Sequence, residues 1–185
     1  MTEEERRFRE EQTSSRDIFD GTVLHLKLDT VRLPNGQSAS RELVRHVGAV
    51  CIVPLTDDGK VIVERQFRYP IDKVITEIPA GKLDYKEEDP LLAAKRELRE
   101  ETGYTAEEMT LLGIFYPAAA YSDEKIYMYL ARGLHAGKQD LDEDEFLSFD
   151  AVPLGDLVKQ VMAGEIPDAK TQIAVLKAAR LLQIP

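Results

Sequence analysis

Hydrophobic and polar residues alternate with a period of two along several short stretches of the chain, which is the pattern of β-strands. Residues 19–31 alternate in this way, and the turn Pro34-Asn35-Gly36 leads into a second such stretch at 39–46, so we predict an N-terminal β-hairpin. Further strands are predicted where short apolar runs lie between turn residues, at 49–55, 61–66, 74–78, 111–116, 126–131 and 146–152.

Three other stretches have the three- and four-residue apolar spacing of amphipathic helices. The first follows Asp89, a suitable N-cap, has Pro90 at its first position and ends at Gly103. The other two cover residues 154–163 and 171–182. Strands in runs with interleaved helices predict an α/β fold, namely an α/β/α sandwich around a mixed sheet.

The pattern divides the chain into three parts. Residues 1–16 are almost wholly polar and are predicted to be a tail or a short helix. Residues 17–46 hold the N-terminal strands, and residues 47–185 form the main domain. Because two strands are too few to be stable alone, we expect them to pack on the main domain or on a second subunit, and we expect a homodimer.

Composition narrows the choice of partners. The net charge of −10 argues against a nucleic-acid or anionic-membrane surface, so an anionic substrate needs metal ions or local arginines. No stretch is long enough to span a bilayer and the charged N-terminus lacks an apolar signal region, so we expect a cytoplasmic protein. The chain has a single cysteine, Cys51, so an internal disulfide is excluded. Because Cys51 lies in an apolar run, we predict a buried structural thiol. The scattered His25, His46 and His135 do not indicate a zinc site.

The helix after Asp89 carries an unfavourable charge pattern at its C-terminal end. Glu97, Glu100 and Glu101 share one face and crowd the last turn, where the helix dipole disfavours negative charge. Each effect costs roughly a few tenths of a kcal/mol. A divalent cation, Mg²⁺ above all, turns this repulsion into binding. A solvated acidic face is the alternative, and spacing alone does not separate the two.

The longer string around these glutamates resembles the Nudix box, G-x5-E-x7-R-E-U-x-E-E-x-G-U, in which U is a bulky apolar residue. It runs here from Gly81 through Glu88 to residues 96–104, RELREETGY. Spacing matches from Glu88 onward, but six residues separate Gly81 from Glu88 in place of five, which we interpret as a one-residue insertion in the loop.

The Nudix resemblance implies cleavage of a nucleoside-linked pyrophosphate by water and divalent cations, Mg²⁺ with Mn²⁺ as an alternative. It also implies that Arg96 and Glu88 form a structural ion pair that braces the loop against the helix. The metal ligands that it implies on and beside this helix are the Ala80 carbonyl, Glu97, Glu100 and Glu101.

Within the family, residues 64–84, 122–131 and 168–182 look like the corresponding segments of ADP-ribose pyrophosphatases. This resemblance covers nearly the whole chain beyond the tail. It implies hydrolysis of ADP-ribose to AMP and ribose 5-phosphate, and an N-terminal hairpin exchanged between the subunits of a homodimer. Arg68 is then expected to meet a phosphate or the terminal ribose, although a charge at a hairpin end is also commonly just exposed. Further substrate contacts are expected at Arg41, Glu42, Arg45, His46 and Tyr121, where a solvated strand face is the alternative for the first four.

The acidic loop at residues 142–145 lies where this subfamily keeps a catalytic glutamate and a further metal-coordinating carboxylate. The resemblance implies Glu145 first and Glu143 second as the catalytic residue, with Glu145 also a metal ligand and Glu100 contributing to the catalytic set. Loop carboxylates are ordinarily only solvated, which is the alternative here.

One segment departs from the subfamily. Residues 118–120 are Ala-Ala-Ala where ADP-ribose enzymes usually carry a Ser-Pro-Gly-like stretch, and the proline is shifted to Pro117. This change leaves the catalytic class intact but opens the choice of sugar. The alternatives are therefore a pyrophosphatase for another nucleotide sugar, such as GDP-mannose, and a non-catalytic nucleotide sensor, although sensors typically lose part of the glutamate set that this chain keeps.

Overall fold

The computed structural model describes residues 2–141 and 146–184. The chain forms two compact units. The first, the N-terminal unit, comprises Met1–His46 and Ala118–Glu124, and the second, the main unit, comprises Val47–Pro117 and Lys125–Pro185. No helix in the described part of the chain is both long and apolar enough to cross a membrane.

The N-terminal unit contains a three-stranded antiparallel sheet in the order β1 (Glu11–Asp20), β2 (His25–Arg32) and β3 (Ser38–Arg45). The predicted hairpin is present as β2 and β3, but residues 19–31 are not one strand, because the chain turns after Gly21, whose N–H donates to the Leu24 carbonyl at 2.9 Å. Strand β1 begins within the segment expected to be a tail, and it is exposed along its whole length, so no apolar alternation marks it. The unit also contains the short helix α1 (Glu3–Arg6).

Within the described residues, the main unit contains two sheets, three α-helices and a short 3-10 helix at Tyr69–Ile71. Its strands are β4 (Ala49–Pro54), β5 (Lys60–Arg68), β6 (Lys73–Glu77), β7 (Ala80–Lys82), β8 (Tyr104–Phe115), β9 (Ile126–Ala136) and β10 (Leu147–Pro153), and its helices are α2 (Pro90–Thr102), α3 (Leu154–Met162) and α4 (Ala169–Leu181).

One sheet of the main unit is mixed, with the order β7-β4-β9-β8. Strands β4 and β9 run parallel, whereas β7 and β8 pair antiparallel with their neighbours. The second sheet, β10-β5-β6, is antiparallel. Parallel pairing of β4 with β9 requires a crossover connection, and the chain supplies it through β5, β6, β7, α2 and β8.

Strand β4 lies at the centre of the unit and contributes to a core on each side of the mixed sheet. Cys51 and Val53 pack with α3 and α4, whereas Val50 and Ile52 pack with α2. Successive side chains of a strand point to opposite faces, so these two cores require helices on both faces of the sheet. The predicted α/β/α sandwich with a mixed sheet is therefore confirmed. The prediction that Cys51 is buried is confirmed, since it is 0% exposed, and burial raises the pKa of its thiol to about 12.

Candidate active site

Helix α2 begins and ends where its sequence predicts. The Asp89 carboxylate caps it by accepting a hydrogen bond from the Leu91 N–H at 2.8 Å, and Pro90 occupies the first turn. Gly103 closes it in the left-handed region, with φ 76°, and its N–H donates to the Arg99 carbonyl. Because residues at its own two ends set where the helix begins and ends, they also set which turns carry Glu97, Glu100 and Glu101.

Strand β7 lies beside this face of the helix, although the sequence predicts a loop here. It pairs with β4, with Gly81 opposite Val50. The Ala80 N–H donates to the Glu101 carboxylate at 2.9 Å, and Glu101 is only 5% exposed. A Cβ added to Gly81 would overlap the carboxylate of Glu97. The absence of a side chain at Gly81 thus lets the backbone approach the helix carboxylates closely.

Arg96 is the cation on the same face. Its guanidinium donates to Glu97 at 2.8 Å and to the Lys82 carbonyl at 3.3 Å. Burial alone would lower the pKa of Arg96, but the surrounding carboxylates, Glu97 foremost, raise it. The predicted ion pair with Glu88 is present. The Arg96–Glu88 distance is 3.6 Å, and two other carboxylates, Asp84 and Glu100, each lie 3.4 Å from the guanidinium.

A cleft of about 450 Å³ opens over this region. It brings together the predicted residues Arg68, Ala80, Glu97 and Glu100, which come from β5, β7 and α2. Glu101 is joined to the cleft through its hydrogen bond to Ala80. The cleft is polar, and its wall is mainly charged side chains and backbone, which can form charge-assisted hydrogen bonds.

The donor set fits a hard divalent cation. Glu97 and Glu100 are carboxylates whose side chains are 12% and 28% exposed, and the backbone next to Gly81 offers a carbonyl oxygen. Within the described residues, however, no three acidic, histidine or cysteine side chains converge as a ready metal group, and Arg96 bridges Glu97 and Glu100. Carboxylate and carbonyl oxygens are the donor atoms that Mg²⁺ prefers, and in this structure Arg96 supplies the positive charge between the two carboxylates.

Arg68 is oriented by a carboxylate at the back of the cleft. Its Nε donates to Glu77 Oε1 at 2.6 Å and its Nη2 to Oε2 at 2.9 Å, which raises the pKa of the guanidinium. Glu77 is 1% exposed and also accepts from Lys170. Burial would raise the pKa of Glu77, but the two cations hold it below its ordinary value.

The other predicted substrate contacts lie in the N-terminal unit. Arg41 pairs with Glu10 at 2.5 Å, and Arg45 pairs with Asp123 at 3.0 Å. The His46 N–H donates to the same Asp123 carboxylate at 2.8 Å. Exposed side chains are found at Glu42 and Tyr121.

The remaining predicted residues, Glu143 and Glu145, lie outside the described part of the chain. Sequence reasoning missed Asp140, which lines the cleft and whose N–H donates to the Glu100 carbonyl at 2.9 Å. Its position just before the acidic loop was the available signal. It also missed Glu77 and Lys170, since two residues 93 positions apart along the chain leave no local pattern.

The chain matches two family models. Residues 44–172 match the NUDIX domain, and residues 10–44 match the nucleoside diphosphate sugar hydrolase N-terminal domain. The chain therefore belongs to the Nudix hydrolase family, in the group that carries this N-terminal domain.

Similar proteins cover nearly the whole chain. The ADP-ribose pyrophosphatase of Bacillus subtilis (strain 168) is 46% identical over 169 residues, which are 90% of this chain and 91% of that protein. The methanol dehydrogenase activator of Bacillus methanolicus is 44% identical over 91% of both chains. A crystal structure of an ADP compounds hydrolase superposes with a TM-score of 0.83 at 22% identity and 95% coverage of both chains, which supports the fold.

Proposed function

We propose that this protein hydrolyses the pyrophosphate bond of ADP-ribose, giving AMP and ribose 5-phosphate, with Mg²⁺ as cofactor and Mn²⁺ as a substitute. The observation that carries the proposal is the close approach of Gly81 to the Glu97 carboxylate, in a cleft that also contains Glu100 and Arg68. Hard oxygen ligands and a guanidinium in one cleft suit a substrate made of phosphates. The B. subtilis relative named ADP-ribose pyrophosphatase supports the choice of substrate.

The residues have separate roles in this proposal. The Ala80 carbonyl and the carboxylates of Glu97, Glu100 and Glu101 hold the metal, which when bound neutralises phosphate charge and lowers the pKa of water. Arg68 binds a phosphate through the guanidinium edge that Glu77 leaves available. The proton acceptor belongs to the acidic loop, at Glu145 first and Glu143 second, with Glu145 also a metal ligand and Glu100 as a further catalytic candidate.

The N-terminal unit is proposed to supply further substrate contacts and a homodimer interface with exchanged strands. Strand β1 is an edge of its sheet, and its Ile18 and Phe19 are 48% and 58% exposed. An exposed edge with apolar side chains favours pairing with a second copy of the chain. The substrate contacts proposed here are Arg41, Glu42, Arg45, His46 and Tyr121. We propose the cytoplasm as its location, because the free Cys51 suits a reducing compartment.

The test is product analysis over a panel of nucleotide sugars that includes ADP-ribose and GDP-mannose, with Mg²⁺, for the parent and for Glu101→Gln. We expect AMP and ribose 5-phosphate from ADP-ribose. We expect Glu101→Gln to fold, since its amide oxygen still accepts from the Ala80 N–H, and to lose turnover by about two to three orders of magnitude. Glu108→Gln is the matched control, since Glu108 is exposed on β8.

Three outcomes contradict the proposal. Preferential hydrolysis of GDP-mannose identifies another nucleotide-sugar pyrophosphatase. Binding of ADP-ribose without turnover in Mg²⁺ or Mn²⁺ identifies a sensor. Parent-like turnover by Glu101→Gln removes Glu101 from the mechanism.

A further inference from the structure

A buried cluster of charges lies behind the cleft, where β5, β6 and the start of α4 meet. Glu77 of β6 is directly opposite Glu64 of β5 in the strand register, and each residue is 1% exposed. Two neighbouring carboxylates in such a place are costly unless cations accompany them. Arg68 supplies one cation from the end of β5, and Lys170 supplies another from the first turn of α4.

The two cations that pair with Glu77 come from different elements, Arg68 from β5 and Lys170 from α4. Arg68 takes both oxygens of the carboxylate through Nε and Nη2, and its side chain remains 39% exposed and lines the cleft. Lys170 donates to Oε2 of the same carboxylate and also contacts Asp168 Oδ2 at 3.1 Å, with 12% of its side chain exposed. Lys170 is not among the residues that line the cleft. Any effect of Lys170 on the binding of a ligand in the cleft would therefore be indirect, through its ion pair with Glu77 and the contact of Glu77 with Arg68.

Both partners of the Lys170–Glu77 pair are charged at neutral pH. Burial would lower the pKa of Lys170, but Asp168 and Glu77 raise it, and the pKa of Glu77 is lowered as described above. Removal of the lysine charge would leave Arg68 as the cation that compensates Glu77. The positive potential that Arg68 presents to an anion in the cleft would then fall.

We propose that Lys170 is a positioning residue for substrate binding: by neutralising Glu77 from helix α4, it keeps the guanidinium of Arg68 oriented and electrostatically available to a phosphate group in the cleft. The inference rests on the proposed function for the identity of the substrate. The role of the charge cluster itself depends only on an anion that binds at Arg68.

The first experiment compares steady-state hydrolysis of ADP-ribose by the parent, Lys170→Met and Lys170→Arg. We expect Lys170→Met to raise KM about tenfold with kcat changed by less than about twofold, because the loss is in ground-state phosphate binding. Lys170→Arg keeps the charge and is expected to restore KM to within about threefold of the parent. Lys159→Met is the control, since it removes a lysine charge and an ion pair with Asp156 from the exposed face of α3.

The second experiment separates an electrostatic effect from general damage to the fold. Arg68→Gln is expected to raise KM by itself, and Lys170→Met in that background is expected to add less than about twofold, because the two residues act through one interaction. Calorimetric titration of the full chain with AMP gives the same comparison without turnover. If Lys170→Met does not fold, Lys170→Gln replaces it.

The outcomes distinguish this inference from the proposed function. If Lys170→Met keeps the KM and the AMP affinity of the parent, or if its effect is undiminished by Arg68→Gln, the positioning role is wrong. A parent that binds AMP without hydrolysing ADP-ribose contradicts the proposed function. A tenfold loss of AMP affinity in Lys170→Met, recovered in Lys170→Arg, supports the positioning role even then.

Discussion

The Glu101 carboxylate accepts a hydrogen bond from the backbone N–H of Ala80 at 2.9 Å, which joins the last turn of α2 to strand β7. An acidic side chain at the C-terminal end of a helix is unfavourable for the helix alone. Here the N–H of a neighbouring strand compensates this carboxylate, and the same contact brings the backbone on either side of Gly81 to the glutamate face. Helix α2 and strand β7 therefore build the site together.

The space at Gly81 leads to the first prediction. Gly81→Ala would place a Cβ on the Glu97 carboxylate, so we expect a weaker affinity for Mg²⁺ and a loss of turnover of about a hundredfold. Calorimetric Mg²⁺ titration and hydrolysis assays measure the two effects. The control is Gly155→Ala in helix α3, where the nearest atom is 3.8 Å from the added Cβ, and we expect unchanged activity and a gain of about 0.5–1 kcal/mol in the free energy of unfolding. Unchanged Mg²⁺ affinity in Gly81→Ala would exclude this carboxylate as a ligand.

Arg96 leads to a prediction about stability with and without metal. Arg96→Met removes the cation shared by Glu97, Glu100, Asp84 and Glu88, and we expect the free energy of unfolding without divalent ions to fall by about 2 kcal/mol. Saturating Mg²⁺ should narrow this difference, because a bound cation neutralises the same carboxylates and stabilises the folded state.

Urea unfolding at several Mg²⁺ concentrations measures the effect of Arg96→Met. Lys95→Met, on the exposed face of α2, removes the same charge and is expected to change little. If the difference in the free energy of unfolding between Arg96→Met and the parent widens as the Mg²⁺ concentration increases, Arg96 supports metal binding and does not substitute for the charge of the metal.

Thr171 joins helix α4 to the short segment between β6 and β7. The Ile78 N–H donates to its Oγ1 at 3.0 Å, and the hydroxyl donates to the N-cap Asp168 at 2.6 Å. Thr171→Val keeps the shape but leaves this buried N–H without its acceptor, so we expect a loss of about 1–3 kcal/mol in the free energy of unfolding. Chemical denaturation measures this loss, and the control is Thr105→Val at an exposed position of β8. Equal stability of Thr171→Val and the parent would contradict this role.

The lowered pKa of Glu77 predicts how stability changes with pH. A carboxylate whose pKa is depressed on folding contributes stability that is present above its unfolded pKa, 4.5, and that is lost as the pH falls through its folded pKa. The parent should therefore lose stability below about pH 4.5, and Glu77→Gln should lose less. At neutral pH we expect Glu77→Gln to be less stable than the parent by roughly 3 kcal/mol, since it breaks a buried ion pair.

Urea unfolding curves across this pH range measure the difference between the parent and Glu77→Gln. The control is Glu165→Gln, an exposed residue outside the cluster. A constant difference between the two proteins from neutral to acidic pH would mean that the charge of Glu77 is not the source of its stability contribution.

Local patterns were sufficient for the helix and for the central strand. Asp89, Pro90 and Gly103 act within one or two turns, so the bounds of α2 follow from the residues themselves. The apolar run of β4 predicts a strand buried on both faces, and the structure has it so. Strand β8 begins at Tyr104 rather than near residue 111, because alternation with glutamates weakens the hydrophobic signal in its first half.

The sequence patterns did not predict strand β7 or most of strand β1. Strand β7 has three residues, Ala80–Lys82, and it is a strand because β4 pairs with it. Strand β1 has no buried side of its own, so its pairing with β2 carries no period-two signal. In both cases the pairing partner, and not the segment itself, decides the conformation.

The sequence by itself determined the sandwich architecture, because the order of strands and helices follows from the apolar pattern. It also determined that Glu97, Glu100 and Glu101 share one helix face, because helix period and capping are local properties. Only the tertiary structure decided that β7 presents Ala80 and Gly81 to that face, and that Lys170 meets Glu77 behind Arg68. These contacts join residues far apart along the chain, and their geometry depends on how β4 and α4 pack, which no local pattern of residues encodes.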